Sequence, residues 1–121
     1  MLEIRVLLID DEEEFASALA ERLSLRGMRT STCNRGEEGL KMIETDPPQV
    51  VILDMNMPGL SGMDVLARIR TDHPEIRVIL LTGQSPREVE KAASGAGACD
   101  YLTKPVNIGE LIVKIRSAVG L

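Results

Sequence analysis

Four short apolar runs, Val6 to Ile9, Val50 to Leu53, Val78 to Leu81 and the shorter Tyr101-Leu102, each run on into a polar signal: Asp10-Asp11, Asp54, Thr82 and Lys104. Aliphatic runs that do not alternate with polar residues belong to strands buried on both faces. Such strands are found in parallel sheets covered by helices on each side. Parallel strands bring their C-terminal ends to one edge of the sheet. That geometry predicts a single mouth holding three carboxylates, one hydroxyl and one ammonium.

The segments between these runs supply the helices. Ile4 to Ile9 reads as a strand. Glu12 to Arg26 reads as a helix with Phe15, Ala18, Leu19 and Leu23 on its apolar stripe, stopped by Gly27. Met28 to Cys33 is a less apolar strand, suited to a sheet edge. Asn34 is placed to cap a helix over Arg35 to Thr45, weakened by Gly36 and Gly39 and stopped by Pro47-Pro48. Val50 to Asp54 is the third strand, and Met57-Pro58-Gly59 a turn. A helix over Ser61 to Thr71 closes at His73-Pro74, and Ile76 to Thr82 is the fourth strand. Ser85 to Ser94 reads as a helix ending at Gly95 or Gly97, and Ala98 to Thr103 as the fifth strand. The last helix covers Asn107 to Val119, with Ile108, Leu111, Ile112, Ile115 and Val119 on one face and Val113 off it, exposed. Five βα units with right-handed crossovers predict a doubly wound α/β fold, strand order 2-1-3-4-5. Its ligand site lies at the switch point between the first and third strands. Asp10-Asp11 and Asp54 end those two strands.

With 121 residues the chain is one domain over 1–121, and its 44% hydrophobic content is that of a globular protein. One Phe, one Tyr and no Trp make the core aliphatic. A net charge of −5 without clustered Lys and Arg argues against direct nucleic-acid binding. No apolar run approaches the roughly 20 residues of a membrane helix, and the N-terminus carries no secretion signal, so the expectation is a cytoplasmic protein. Cys33 and Cys99 lack metal-ligand spacing and fall on strands at opposite sheet edges. They are read as reduced thiols too far apart to bridge.

Asp10, Asp11 and Asp54 crowded together repel unless a cation or protons intervene. Magnesium suits the set, because it accepts one or two carboxylates together with waters and phosphate oxygens. The competing reading makes Asp10 or Asp11 a helix cap, which explains one Asp but not two followed by Glu12-Glu13-Glu14. A carboxylate beside magnesium can attack phosphorus in line and become an acyl phosphate, a role open to Asp54. Lys104 offers an ammonium and Thr82 a hydroxyl to phosphate oxygens, and Gly83 leaves the backbone open to their approach. Each of these residues also has an ordinary structural reading; their convergence carries the chemical one. His73 reads as a surface residue remote from the mouth. Met55, Met57 and Met63 read as packing.

Taken in order, Ile9-Asp10-Asp11-Glu12, Leu53 to Gly62, Leu80-Leu81-Thr82-Gly83 and Asp100 to Pro105 resemble the receiver domain of bacterial two-component response regulators, along the whole chain. That resemblance implies the flavodoxin-like arrangement of the five strands. It implies that Asp54 accepts a phosphoryl group from a phosphohistidine on a histidine kinase or phosphotransfer protein. Asp11 would be a direct Mg2+ ligand, Asp10 would act partly through water, and Asn56 would offer its backbone carbonyl. Thr82 and Lys104 would hold phosphoryl oxygens, Tyr101 would be the switch aromatic, and Lys104-Pro105 would be a cis peptide. Because the 85–94 helix and the fifth strand follow or carry Thr82 and Lys104, the face they build with the last helix is expected to feel the added charge and to be the output surface. With Leu121 directly after that helix, the expectation is either a stand-alone receiver acting on a downstream protein or a piece of a larger protein with a fused output domain. The domain would lose its phosphoryl group slowly and show no multiple-turnover activity.

Three other classes fit less well. A phosphatase of the haloacid dehalogenase type needs Asp-x-Asp after its first strand, where this chain has Asp10-Asp11-Glu12. A nucleotide or flavin binder needs a glycine-rich loop there. A degenerate receiver would lack one of the motif positions, and all are filled.

Overall fold

A computed structural model describes residues 3–83, 95 and 97–121. Five strands, β1 (Arg5–Ile9), β2 (Arg29–Cys33), β3 (Val50–Asp54), β4 (Arg77–Thr82) and β5 (Asp100–Thr103), form one parallel sheet in the order β2-β1-β3-β4-β5. The described helices are α1 (Glu13–Ser24), α2 (Gly36–Thr45), α3 (Gly62–Asp72) and α4 (Ile108–Ala118). The predicted helix over Ser85 to Ser94 lies outside the described residues. Every other predicted element is present, with ends shifted by one or two residues.

The strand period of two sorts the core into two layers. Leu7, Ile9, Val51, Leu53, Val78 and Leu80 face the α2–α3 side, where Ile43, Val65, Leu66 and Ile69 meet them. Val6, Leu8, Val50, Ile52, Ile79 and Leu81 face the other side, closed by Ala16, Leu19 and Leu23 of α1 and by Leu111 and Ile115 of α4. Strand β3 lies at the centre, with all five of its residues buried. Edge strand β2 exposes Arg29, Ser31 and Thr32, as its polar sequence requires.

The helix ends follow local chemistry. Ser61 Oγ accepts the Asp64 amide at 3.2 Å, and Asn107 Oδ1 accepts the Glu110 amide at 2.9 Å, satisfying first-turn donors of α3 and α4. Gly27, with φ +82, turns the chain after α1, and Gly59, with φ +76, occupies the predicted turn before α3. Two expectations are corrected. Asn34 does not cap α2, whose N-cap is Arg35 in extended conformation; the Asn34 amide donates instead to Glu13 Oε1 at 2.6 Å. On α1, Ala16 rather than Ala18 joins Leu19 and Leu23 in the core, because the 3.6-residue period places 16, 19 and 23 on one stripe.

His73 is not a bare surface residue. Its ring lies between two carboxylates, Nε2 2.9 Å from Glu44 and Nδ1 3.6 Å from Glu75, tying the end of α3 to α2. The Glu44 hydrogen bond raises its pKa. Cys33 is buried and Cys99 exposed, both free, and burial pushes the Cys33 thiol up to about 11. Among the described residues no helix is long and apolar enough to cross a membrane.

Glycines in α2 and α3 that weaken the helices locally are required by packing. A Cβ on Gly62 would lie 2.6 Å from the Asp54 carbonyl oxygen and 2.6 Å from Met55 Cα, so α3 begins directly on the backbone that carries Asp54. A Cβ on Gly39 would meet the flexible end of Ile9 at 2.5 Å. Gly62→Ala should therefore cost about 2 kcal/mol or more in denaturant unfolding, since backbone cannot yield. Gly39→Ala should cost less and recover when combined with Ile9→Val, which removes the clashing methyl. Equal costs for the two alanines would contradict this account of the packing.

Candidate functional site

The residues Asp10, Asp54 and Thr82 are the buried polar residues of the described chain, and all three stand at the C-terminal edge of the sheet. Their places follow from the strand pairing. Asp54 ends β3 and Thr82 ends β4, while Asp10 and Lys104 directly follow β1 and β5. Backbone hydrogen bonds continue the ladder into the edge, from Met55 N to Leu81 O at 2.9 Å and from Lys104 N to Thr82 O at 2.8 Å. Each predicted site residue at a strand end is thus held by the sheet.

The carboxylates are oriented by their own turns. Asp10 Oδ1 accepts the Glu12 amide at 2.9 Å and Asp54 Oδ1 accepts the Asn56 amide at 3.0 Å. Each second oxygen faces Lys104. The ammonium lies 3.0 Å from Asp10 Oδ2, 3.6 Å from Asp54 Oδ2 and 2.6 Å from Glu12 Oε1, with the Phe15 ring centroid at 4.6 Å. Burial opposes the charge on Lys104, yet hydrogen bonds to Glu12 and Asp10 outweigh it and hold the ammonium above its ordinary pKa.

Asp54 has the opposite balance. Burial raises its pKa to about 6 and the Asp10 charge and the Asp11 side chain add to that, against the Asn56 amide and Lys104. One ammonium does not compensate the carboxylates around it. Asp10 Oδ2 is buried, and its contact among the described residues is the Lys104 ammonium at 3.0 Å. Asp10, Glu12 and Asp54 each offer a carboxylate oxygen within 4.8 Å of the others. An under-compensated set of oxygen donors fits a hard divalent cation. Of the predicted metal set, Asp10 and Asp54 stand side by side, whereas Asp11 and Asn56 are on the exposed rim. Tyr101 is half-buried against the α2–α3 layer. The Lys104-Pro105 peptide is cis, as the resemblance implied.

Glu12 and Gly62 fall in the motifs that carry the resemblance and Phe15 on a helix stripe, but the sequence assigns none of them a part in the site. Glu12 read as one more acid at a helix start and Phe15 as core stripe. Their partner Lys104 stands 92 residues from Glu12, a pairing that only the fold reveals.

Comparison with known proteins agrees with this geometry. The family model of the response regulator receiver domain matches residues 6–116, so the chain belongs to that family, the receiver domains of two-component signalling. It is 34% identical over 94% of its length to the probable transcriptional regulatory protein TcrX of Mycobacterium tuberculosis, of which it covers 49%. It is 39% identical, again over 94% of its length, to the transcriptional regulatory protein KdpE of the same species, of which it covers 50%. The chain therefore spans about half the length of these curated relatives. The receiver domain of the Francisella response regulator 1452 superimposes with a TM-score of 0.90 at 30% identity, covering 96% of each chain.

The raised pKa of Asp54 has a consequence for stability. Between its unfolded value of 3.8 and its folded value of about 6, the folded protein keeps a proton that the unfolded chain releases, so stability falls as pH rises through that window. Asp54→Asn lacks this penalty. Without divalent cation it should be more stable than the unmodified protein by roughly 2–3 kcal/mol at about pH 7, the gap closing towards about pH 4. Urea unfolding across this range measures it, and a pH-independent gap would refute the assignment.

Proposed function

We propose that Asp54 is the phosphoacceptor of this receiver domain, taking its phosphoryl group from a phosphohistidine on a histidine kinase or phosphotransfer protein. The observation that carries the reading is the placement of Asp54. Its carboxylate is buried at the end of the central strand, 3.6 Å from the Lys104 ammonium and beside an oxygen-donor set suited to a cation. An Asp54 oxygen attacks phosphorus in line, the P–N bond breaks, and its electron pair stays with the imidazole of the donor. Asp10, Asp11 and Asp54 through their side chains, and Asn56 through its carbonyl, would hold Mg2+. Bound there, Mg2+ supplies charge compensation for the transferring oxygens.

Lys104 and Thr82 meet the phosphoryl oxygens, the first as a cation and the second as a hydroxyl donor. Water later cleaves the acyl phosphate, returning the carboxylate and releasing phosphate, so the domain turns over only its own modification. A phosphoryl group adds about 1.5 to 2 negative charges. Movement of Thr82 towards it leaves room for Tyr101 to turn inward, biasing a two-state element that includes β5 and α4. Val113, 66% exposed on α4, belongs to the face that a partner protein or a fused output domain reads.

Incubation with acetyl phosphate and Mg2+ should add the mass of one phosphoryl group. The gain should vanish in Asp54→Asn and fall at least tenfold on chelation of the metal. A gain that persists in Asp54→Asn would sink the assignment. Backbone shift mapping with Mg2+ and beryllofluoride, a phosphoryl mimic, should move the signals of Tyr101 and Val113 more than those of the outer face of α2. No change on the β5–α4 face would rule out that face as the output surface.

A further inference from the structure

Among the described residues, the shortest contact of the Lys104 ammonium is to a residue given no direct role in the phosphoryl transfer above. Glu12 Oε1 lies at 2.6 Å, closer than Asp10 at 3.0 Å and Asp54 at 3.6 Å. Glu12 is the N-cap residue of α1, yet its side chain caps no amide there, which leaves the carboxylate to Lys104. Phe15, three residues on along the same helix, sets its ring 4.6 Å from the ammonium. Both contacts draw the ammonium towards α1 and away from Asp54. The Glu12 side chain is 61% exposed, whereas Asp10 and Asp54 are closed off, so Glu12 offers a solvent-side position for the charge.

We propose that Glu12 is a positioning residue that parks the Lys104 ammonium against α1 in the unphosphorylated protein and thereby sets the balance between the resting and phosphoryl-bearing forms. The proposal rests on the phosphoacceptor reading of Asp54. The ammonium touches the same carboxylates that would attract a divalent cation, so cation and ammonium compete for Asp10 and Asp54. Glu12 gives the ammonium somewhere to remain when the cation takes the other two. The same ion pair must be given up when Lys104 turns to a phosphoryl oxygen, because one compact ammonium cannot keep its shortest contact and move inward.

Removing the charge of Glu12 therefore has two effects of opposite sign. The ammonium falls back on Asp10 and Asp54 and opposes the cation. It is also freer to meet a phosphoryl group once the cation is bound. A role limited to starting α1 would not weaken one and strengthen the other.

The test is a pair of titrations of the full chain, followed by amide chemical shifts: Mg2+ alone, then beryllofluoride at saturating Mg2+. Glu12→Gln should bind Mg2+ about two- to fivefold more weakly and beryllofluoride about two- to fivefold more tightly, the size expected of one partly exposed ion pair. Glu13→Gln makes the same change of charge one residue away, on a side chain bonded to Asn34 rather than Lys104, and should shift neither affinity comparably. Equal effects of the two variants would reduce Glu12 to a contribution to the general field and overturn the proposal. So would a Glu12→Gln protein in which both affinities fall or neither moves. A wild-type chain that takes up no beryllofluoride removes the Asp54 reading and this proposal with it. A wild type that binds, beside a Glu12→Gln variant that does not differ from it, removes the proposal alone.

Discussion

Strand β3 has no exposed side chain, and that constraint fixes the rest of the site. Its neighbours β1 and β4 close its edges, and one helical layer covers each face. Asp54 is the last residue of this strand, so its carboxyl group stands where water is scarce but the sheet has ended. Ionised there, it needs compensation from outside its own strand. Lys104 supplies part of it from just beyond the end of β5, two strands away in the sheet. Asp10, from β1 on the other side, adds negative charge to the same place. The result is a carboxylate that is incompletely neutralised, with its pKa raised by burial and by Asp10.

The helices brace this arrangement at their N-termini. α3 starts at Gly62, where the absence of a Cβ lets the helix rest on the backbone of Asp54 and Met55. α1 starts beside Asp10 and contributes Glu12 and Phe15 to the surroundings of Lys104. One helix thus braces the backbone of Asp54 while the other holds the countercharge. The difference matters dynamically. The Gly62 contact is backbone against backbone and admits little movement, whereas the Lys104 stem is flexible and its partner Glu12 is exposed. Of the two, the Lys104 side chain has the greater freedom to move, and Asp54 the less.

Much of the fold was legible because strand and helix periods are written directly in the order of residues. Val50 to Asp54 and Val78 to Thr82 admit only buried strands, and Ser61 and Asn107 announce the helices that they cap. Failures came where two local readings compete. Asn34 is a good cap by type, yet the approach of α1 gives its amide a carboxylate partner in Glu13. Gly36 and Gly39 look like weaknesses in α2 until Val65 and Ile9 are seen to occupy the space a Cβ would fill. His73 looks like a turn residue until α2 brings Glu44 to it.

By itself the sequence determined that the chain forms a parallel sheet and that Asp10, Asp54, Thr82 and Lys104 gather at one edge of it. Alternation of apolar runs and polar ends leaves those side chains nowhere else to go. Only the tertiary structure decided which charge sits against which. The ammonium of Lys104 has several carboxylates within reach, and its choice of Glu12 over Asp54 depends on how α1 is set on the sheet. Distances of a few ångströms between residues far apart in the chain are products of packing, and no local pattern encodes them.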